Sequence, residues 1–326
     1  MPIPEQNSNP PEHPMKILSF LFKKSIILLF FLLMSLGACS DDTQSPSTEK
    51  NDILLLADAH FPCYSPDGME IICSRTTTSL RYCVWRILRK TPISGAPSDT
   101  LFEDTSLKYG PMFPKWMPDG EHVVYYGVDQ AEEHRYFRIR AVSTDPADPV
   151  PLWWQIEIDD MWDDAAFTLT PDGTEVFYTD WTESGNAVFA LDLNDESTRP
   201  VCLGDQAAIS PDGKWIAISS EDSLAIVPTA GGEWLKLEPG WWVAWTPDSR
   251  YIVFTGFSEE SGDTDLILLS RDGTYREELT NDSDWDLCPA VSPLGGELVY
   301  VKTPDADEGP FQLRRLKLLT SVGGGL

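Results

Sequence analysis

Ser65-Pro66-Asp67-Gly68 returns along this chain as Met117-Pro118-Asp119-Gly120, Thr170-Pro171-Asp172-Gly173 and Ser210-Pro211-Asp212-Gly213, and in altered form as Thr246-Pro247-Asp248-Ser249 and Ser292-Pro293-Leu294-Gly295. Proline fixes φ at the first central position of a turn, Asp suits the next, and Gly accepts the left-handed conformation that lets two strands pair again. Each copy therefore reads as a hairpin turn, with its Asp structural rather than catalytic. Successive prolines lie 52, 53, 40, 36 and 46 residues apart, close to the roughly 40 to 45 residues of a four-stranded propeller blade. Six turns predict six blades, an all-β, six-bladed β-propeller over residues 52–319.

The layout around each turn is clearest in the fifth copy. Trp241 to Thr246 reads as the inner strand, Tyr251 to Gly256 as the second, Asp265 to Ser270 as the third and Tyr275 to Thr280 as the outer one. Apolar runs such as Trp215-Ile216-Ala217-Ile218 suit sheets covered on both faces. The last turn is followed by only two strand-like segments, Glu297 to Lys302 and Phe311 to Leu319, and residues 320–326 form a Gly-rich tail. Asp52-Ile53-Leu54-Leu55-Leu56-Ala57 has no blade of its own. It is expected to complete the last blade as its fourth strand and so to clasp the ring.

At 326 residues the chain fits one such closed domain, and no stretch after residue 50 shows sustained helical periodicity. The net charge is -28. That acidity disfavours nucleic acid and anionic lipid as partners and suits a basic protein, a cationic ligand, Ca²⁺ or plain solubility.

Residues 26–34 are wholly apolar, follow Lys23 and Lys24, and precede Ser35-Leu36-Gly37-Ala38-Cys39. This is the layout of an export signal, and the run is short for a transmembrane helix. Leu36-Gly37-Ala38-Cys39 resembles the bacterial lipobox, which implies cleavage after residue 38 and a lipidated Cys39. A plain signal peptide and an uncleaved anchor are the alternatives. Residues 1–14 fit no signal layout, whereas Met15-Lys16 would open a compact one, so translation is expected to start at Met15. Residues 39–51 read as a polar tether with an r.m.s. reach of about 20 Å. By the same resemblance to lipoproteins, Ser40 in place of Asp implies outer-membrane sorting in a Gram-negative host.

Phe61-Pro62-Cys63-Tyr64 before the first turn, and Leu279-Thr280-Asn281-Asp282 followed by Pro289-Ala290-Val291-Ser292-Pro293, resemble the WD-like repeat of the TolB family. The resemblance covers residues 52–319 and implies the propeller fold rather than a particular function, with no partner-site residue transferred. The propeller also resembles that of prolyl oligopeptidases, but no hydrolase domain accompanies it. No Gly-x-Ser-x-Gly, His-Glu-x-x-His or phosphate loop occurs, so no catalytic residue is assigned. Oligogalacturonate lyases, propellers of related repeat type, use His-bound metal near the channel. With so few His in the chain, His60 reads as a polar lining or surface residue rather than a ligand.

In a propeller, the connections from each outer strand to the next inner strand share one face, opposite the turns. Here they carry Asp58 and His60; Tyr109, Met112 and Phe113; Asp159, Asp160, Trp162, Asp163 and Asp164; Trp241 and Trp242; and Asp282, Asp284, Trp285 and Asp286. Aromatics among acids suit capture of a basic protein or peptide, and equally suit sugar recognition, gap filling between blades or solvated loops. Trp162 and Trp285 are the leading surface aromatics, and Trp245 is expected in the core. Asp282-x-Asp284-x-Asp286 has the alternation of a calcium loop but Leu287 where its Gly belongs, so Ca²⁺ remains only an option and no cofactor is assigned.

Among the cysteines, a hairpin turning at Thr77 to Ser79 would set Cys73 opposite Cys83 as a disulfide. Cys63 and Cys288 on neighbouring inner strands offer a second bridge, leaving Cys202 over. The expectation is a monomeric, membrane-tethered envelope lipoprotein that binds a protein or peptide without catalysis. The alternative is a carbohydrate-binding or carbohydrate-cleaving propeller.

Overall fold

The inner strand of nearly every repeat breaks its ladder at the same place, and that break shapes the molecule. The protein is described here from a computed structural model, which places residues 52–79, 82–103, 107–129, 137–145, 147, 152–154, 167–220, 223–230, 232–257, 262–304 and 310–318. Every regular element among them is a β-strand. Strand β1 is Asp52–Ala57; β2 His60–Tyr64, β3 Ile71–Ser79, β4 Tyr82–Lys90 and β5 Ser98–Glu103 form blade 1. Blade 2 comprises β6 Leu107–Trp116, β7 His122–Asp129, β8 Phe137–Ser143 and β9 Leu152–Trp154. Blade 3 comprises β10 Phe167–Leu169, β11 Glu175–Thr182, β12 Gly185–Asp192 and β13 Thr198–Leu203. Blade 4 comprises β14 Asp205–Ile209, β15 Trp215–Ser220, β16 Ser223–Pro228 and β17 Leu235–Lys236. Blade 5 comprises β18 Trp241–Trp245, β19 Tyr251–Phe257, β20 Thr264–Ser270 and β21 Arg276–Glu278. The last three strands are β22 Trp285–Val291, β23 Glu297–Thr303 and β24 Gln312–Lys317, and blade 6 has the order β1-β24-β23-β22.

The six sheets and the clasp are those expected from the repeat count. Strand β1 joins β24 antiparallel, with Asp52 opposite Leu316 and Ala57 opposite Gln312. Arg314 Nε donates to Asp52 Oδ2 at 2.6 Å, and both side chains are shielded from water. The clasp is also tied to blade 1, because Ser94 Oγ donates to the Leu54 carbonyl at 3.0 Å.

The turns do what their residues suggest. In the first, Asp67 Oδ1 accepts from Ser65 Oγ at 2.6 Å and from the Met69 N–H at 3.0 Å, and Gly68 takes φ 71°. The same serine-to-aspartate bond recurs at Ser210 and Asp212, 2.6 Å. Where the fifth copy has Ser249 for Gly, Ser249 takes φ 58° and its Oγ accepts from the Asp212 N–H of the preceding turn at 3.0 Å.

Apolar clusters fill the spaces between blades: Ala217, Ile226, Trp245, Ile252 and Phe254 join blades 4 and 5, for example. Trp245 is buried as expected, and its Nε1 donates to the Ala208 carbonyl at 2.9 Å. Hydroxyls stitch blades near the start of the inner strands: Ser74 Oγ donates to the Pro111 carbonyl, Ser219 Oγ to that of Gly240 and Thr264 Oγ1 to that of Asp286.

The expected Cys73–Cys83 disulfide does not form. Strand β3 continues through Thr77 and Thr78 to Ser79, so Cys73 faces Leu88 and Cys83 faces Thr78. β-Branched Thr favours a strand over a turn, and the later turn shifts the register. Cys73 is a buried free thiol, and Cys63, Cys202 and Cys288 are free as well.

Candidate functional site

Five residues before the turn proline, the inner strand carries a non-glycine residue with positive φ: Phe61 (51°), Phe113 (50°), Gln206 (51°), Trp242 (52°) and Cys288 (51°). The register slips beside each of them, as between His60 and Cys63 or Leu287 and Ala290. The corresponding residue of blade 3, number 166, lies outside the described residues. None of the five is β-branched, as the left-handed region demands, and each such conformation costs on the order of 1 kcal/mol unless packing holds it. A bulge bends the strand and re-aims its side chains.

Four of these residues meet. Phe61, Phe113, Trp242 and Cys288 belong to one apolar cluster with Met112, Leu287, Val301, Trp285 and Phe311. Because it draws on the inner strands of blades 1, 2, 5 and 6, this cluster closes the ring axis with aromatic side chains. Phe61 stacks on Phe113 with ring centroids 3.9 Å apart, and Trp241 meets Trp242 edge-on at 6.2 Å. Gln206, the polar member of the set, accepts from the Trp242 N–H through Oε1 at 3.0 Å. Phe113, Trp242, Trp285 and Phe311 are only partly buried, so the stopper keeps some aromatic surface exposed.

The anticipated site residues divide around this stopper. Asp58 is exposed with φ 53°, near Arg75 at 3.7 Å. Trp241 and Trp242 are half-buried in β18, inside the inner strand expected from Trp241 to Thr246, and Trp285 opens β22. Tyr109 also belongs to a strand, opposite Val128 in β6, rather than to a connection. His60 is neither a surface group nor an open channel lining: it is buried, its ring 4.5 Å from that of Phe311. Burial pushes its pKa down to about 3, so the imidazole is neutral at ordinary pH. Asp159, Asp160, Trp162, Asp163 and Asp164 lie outside the described residues.

The Asp282, Asp284 and Asp286 carboxylates converge on a cation supplied by the chain itself. Lys302, opposite Asp286 across β22 and β23, directs its Nζ to Asp282 Oδ2, with Asp284 Oδ2 at 3.7 Å and Asp286 Oδ1 at 3.6 Å. Asp286 was expected on the binding face but is fully buried. Burial pushes its carboxyl well above the ordinary range, with Lys302 pulling the other way. For Lys302, burial opposes the charge, and the Asp286 and Asp282 carboxylates outweigh it to hold the ammonium above its ordinary value. Beside them, burial and the neighbouring Asp263 push Asp265 up to about 6. Among the described residues, no group of three or more His, Cys, Asp or Glu is placed to hold a metal ion. The arrangement offers partly exposed aromatics at the axis and an acidic rim at Asp58, Asp282 and Asp284.

No family model matches the chain. A TolB homolog protein from Chlorobium chlorochromatii is 33% identical over 105 residues, a match taking in 29% of this chain and 22% of that protein. TolB from Acinetobacter baumannii superposes with a TM-score of 0.59 at 18% identity, covering 72% of this chain and 57% of that one. An oligogalacturonate lyase in complex with manganese superposes with a TM-score of 0.51 at 11% identity, covering 86% of this chain and 97% of that one. At such identities the likeness of structures is one of fold, and one fold shared by a TolB and a lyase does not decide an activity. In fold the chain is a six-bladed β-propeller similar to that of TolB, and it spans less than two thirds of the length of those two TolB proteins.

Proposed function

We propose that this is a cell-envelope lipoprotein, held to the membrane through Cys39, whose propeller captures a basic protein or peptide at the aromatic mouth of its channel and performs no catalysis. The observation that carries the reading is the partly buried set of Trp242, Trp285, Phe113 and Phe311 at the axis beside the carboxylates of Asp58, Asp282 and Asp284. Aromatic side chains offer large contact area at small entropic cost, while rim carboxylates steer a cationic partner and set its register. The TolB likeness and the leader segment with Leu36-Gly37-Ala38-Cys39 support the envelope setting.

The test is capture from envelope extracts on immobilised protein. Truncation of an interface hot spot costs about 2 kcal/mol or more, roughly a 30-fold loss of affinity. Trp285→Ala and Trp241→Ala should therefore fold normally yet lose most of the captured partner. Undiminished capture by both variants would overturn the reading.

A further inference from the structure

The strand that closes the ring also fixes where the chain enters it. Asp52 pairs with Leu316, Leu316 with Leu298, and Leu298 with Val291, next to the Ser292-Pro293-Leu294-Gly295 turn. At the other end Ala57 pairs with Gln312, Gln312 with Lys302, and Lys302 with Asp286 at the aromatic mouth. The polypeptide thus arrives from Cys39 on the turn face and climbs to the mouth along β1. Only residues 40–51 separate Cys39 from that entry point.

The turn face departs from its own repeat where the chain enters. Five copies have Asp after the proline, and the sixth has Leu294. Leucine cannot make the carboxylate bonds that Asp67 and Asp212 make with their turns, and Leu294 is 68% exposed. It lies over the first turn: a Cβ on Gly68 would sit 2.8 Å from Leu294 Cγ. The residue after that glycine is Met69, 61% exposed. Two long apolar side chains therefore stand together in water on adjoining turns of blades 6 and 1, where folding asks for neither.

We infer that the turn face is the membrane-facing surface of this protein, with Leu294 and Met69 resting in the lipid interface and the aromatic, acidic mouth turned away from the bilayer. The inference rests on the anchored reading of Cys39 and adds an orientation to it. A lipid surface is the occupant that the entry point selects, because an acyl-anchored Cys39 brings the turn face to the bilayer first. Shallow apolar insertion adds to an acyl anchor in proportion to the area buried. The device leaves the mouth open to a partner approaching from the aqueous side.

Hydroxyl-radical footprinting of the full lipidated protein tests this on vesicles of phosphatidylethanolamine and phosphatidylcholine. The reference is the same protein released by a protease site placed within residues 40–51. Met69 and Leu294 should be oxidised several-fold less on vesicles than after release, with Trp242 and Trp285 unchanged. Leu294→Asp, which restores the repeat, should stay on the vesicles through its acyl chains but lose much of the protection at Met69. Protein that fails to sediment with the vesicles overturns the anchored reading and this orientation together. Protein that sediments but shows no protection at Met69 and Leu294, or protection at the tryptophans instead, overturns the orientation alone.

Discussion

Asp272, exposed on a turn of blade 5, accepts hydrogen bonds from Ser270 Oγ and Thr274 Oγ1, both at 2.7 Å, and from the Thr274 N–H at 3.1 Å. Those donors, the Ser270 hydroxyl first, push its pKa down to about 2. The folded chain then binds this proton less tightly than the unfolded one, so the stabilisation is complete above about pH 4 and vanishes as pH falls toward the folded value. Asp272→Asn should flatten the melting temperature over that acid window. Asp265 has the opposite sign, because burial raises it to about 6. There the folded chain holds the proton more tightly, and stability declines as pH rises from about 4 through 6. Asp265→Asn should remove that decline, and thermal melts from pH 4 to 7 check it. The turn aspartates were legible in the sequence because local spacing sets their bonds. The Asp286 and Lys302 pair was not, since it depends on register between two strands. Close approach is equally hidden: a Cβ on Gly240 would lie 2.4 Å from Phe254 Cδ2. Gly240→Ala should therefore cost about 1–3 kcal/mol in urea unfolding, as overpacking does.

Among the elements, the clasp bears most on stability. Strand β1 was legible because the last blade lacked a fourth strand while Asp52–Ala57 lacked a blade, and closed sheets leave no edge unpaired. Its buried Asp52–Arg314 pair was not legible. Removing one partner of a buried pair leaves an uncompensated charge, so Arg314→Ala should lower unfolding free energy by roughly 3–5 kcal/mol. Deletion of residues 50–58 should abolish a single cooperative transition in calorimetry; unchanged melting would show that β1 does not close the ring. The outer strand of blade 5 was read too long: Tyr275 to Thr280 was expected, and β21 spans Arg276–Glu278. An outer strand has one neighbour and no cover beyond it, so pairing fades at its ends. The β3–β4 hairpin was misread for a related reason, because the run Arg75-Thr76-Thr77-Thr78-Ser79 holds no Gly, Pro or Asn to mark a turn.

The whole ring brings together what no single repeat announces. Phe61, Phe113, Trp242 and Cys288 stand in four blades, yet all sit five residues before a turn proline and take the same left-handed turn into the axis. That common offset and the absence of β-branched residues were the available signals, but an alternating strand pattern points such side chains elsewhere, and only the bulge re-aims them. The stopper is structural as well as exposed: Phe61→Ala should cost about 3–5 kcal/mol, while the outer members, Trp285 above all, should matter for capture rather than folding. Charge belongs to this scale too. Association steered by the acidic mouth should slow as salt rises, with dissociation little changed. The most direct test of the account places a photo-reactive residue at Asp58, on the rim of the mouth, and irradiates intact cells. A covalent adduct with an envelope protein, weakened by Trp285→Ala, is the predicted result. No adduct from position 58, with efficient cross-linking from the exposed Leu235 in the outer strand of blade 4, would contradict it.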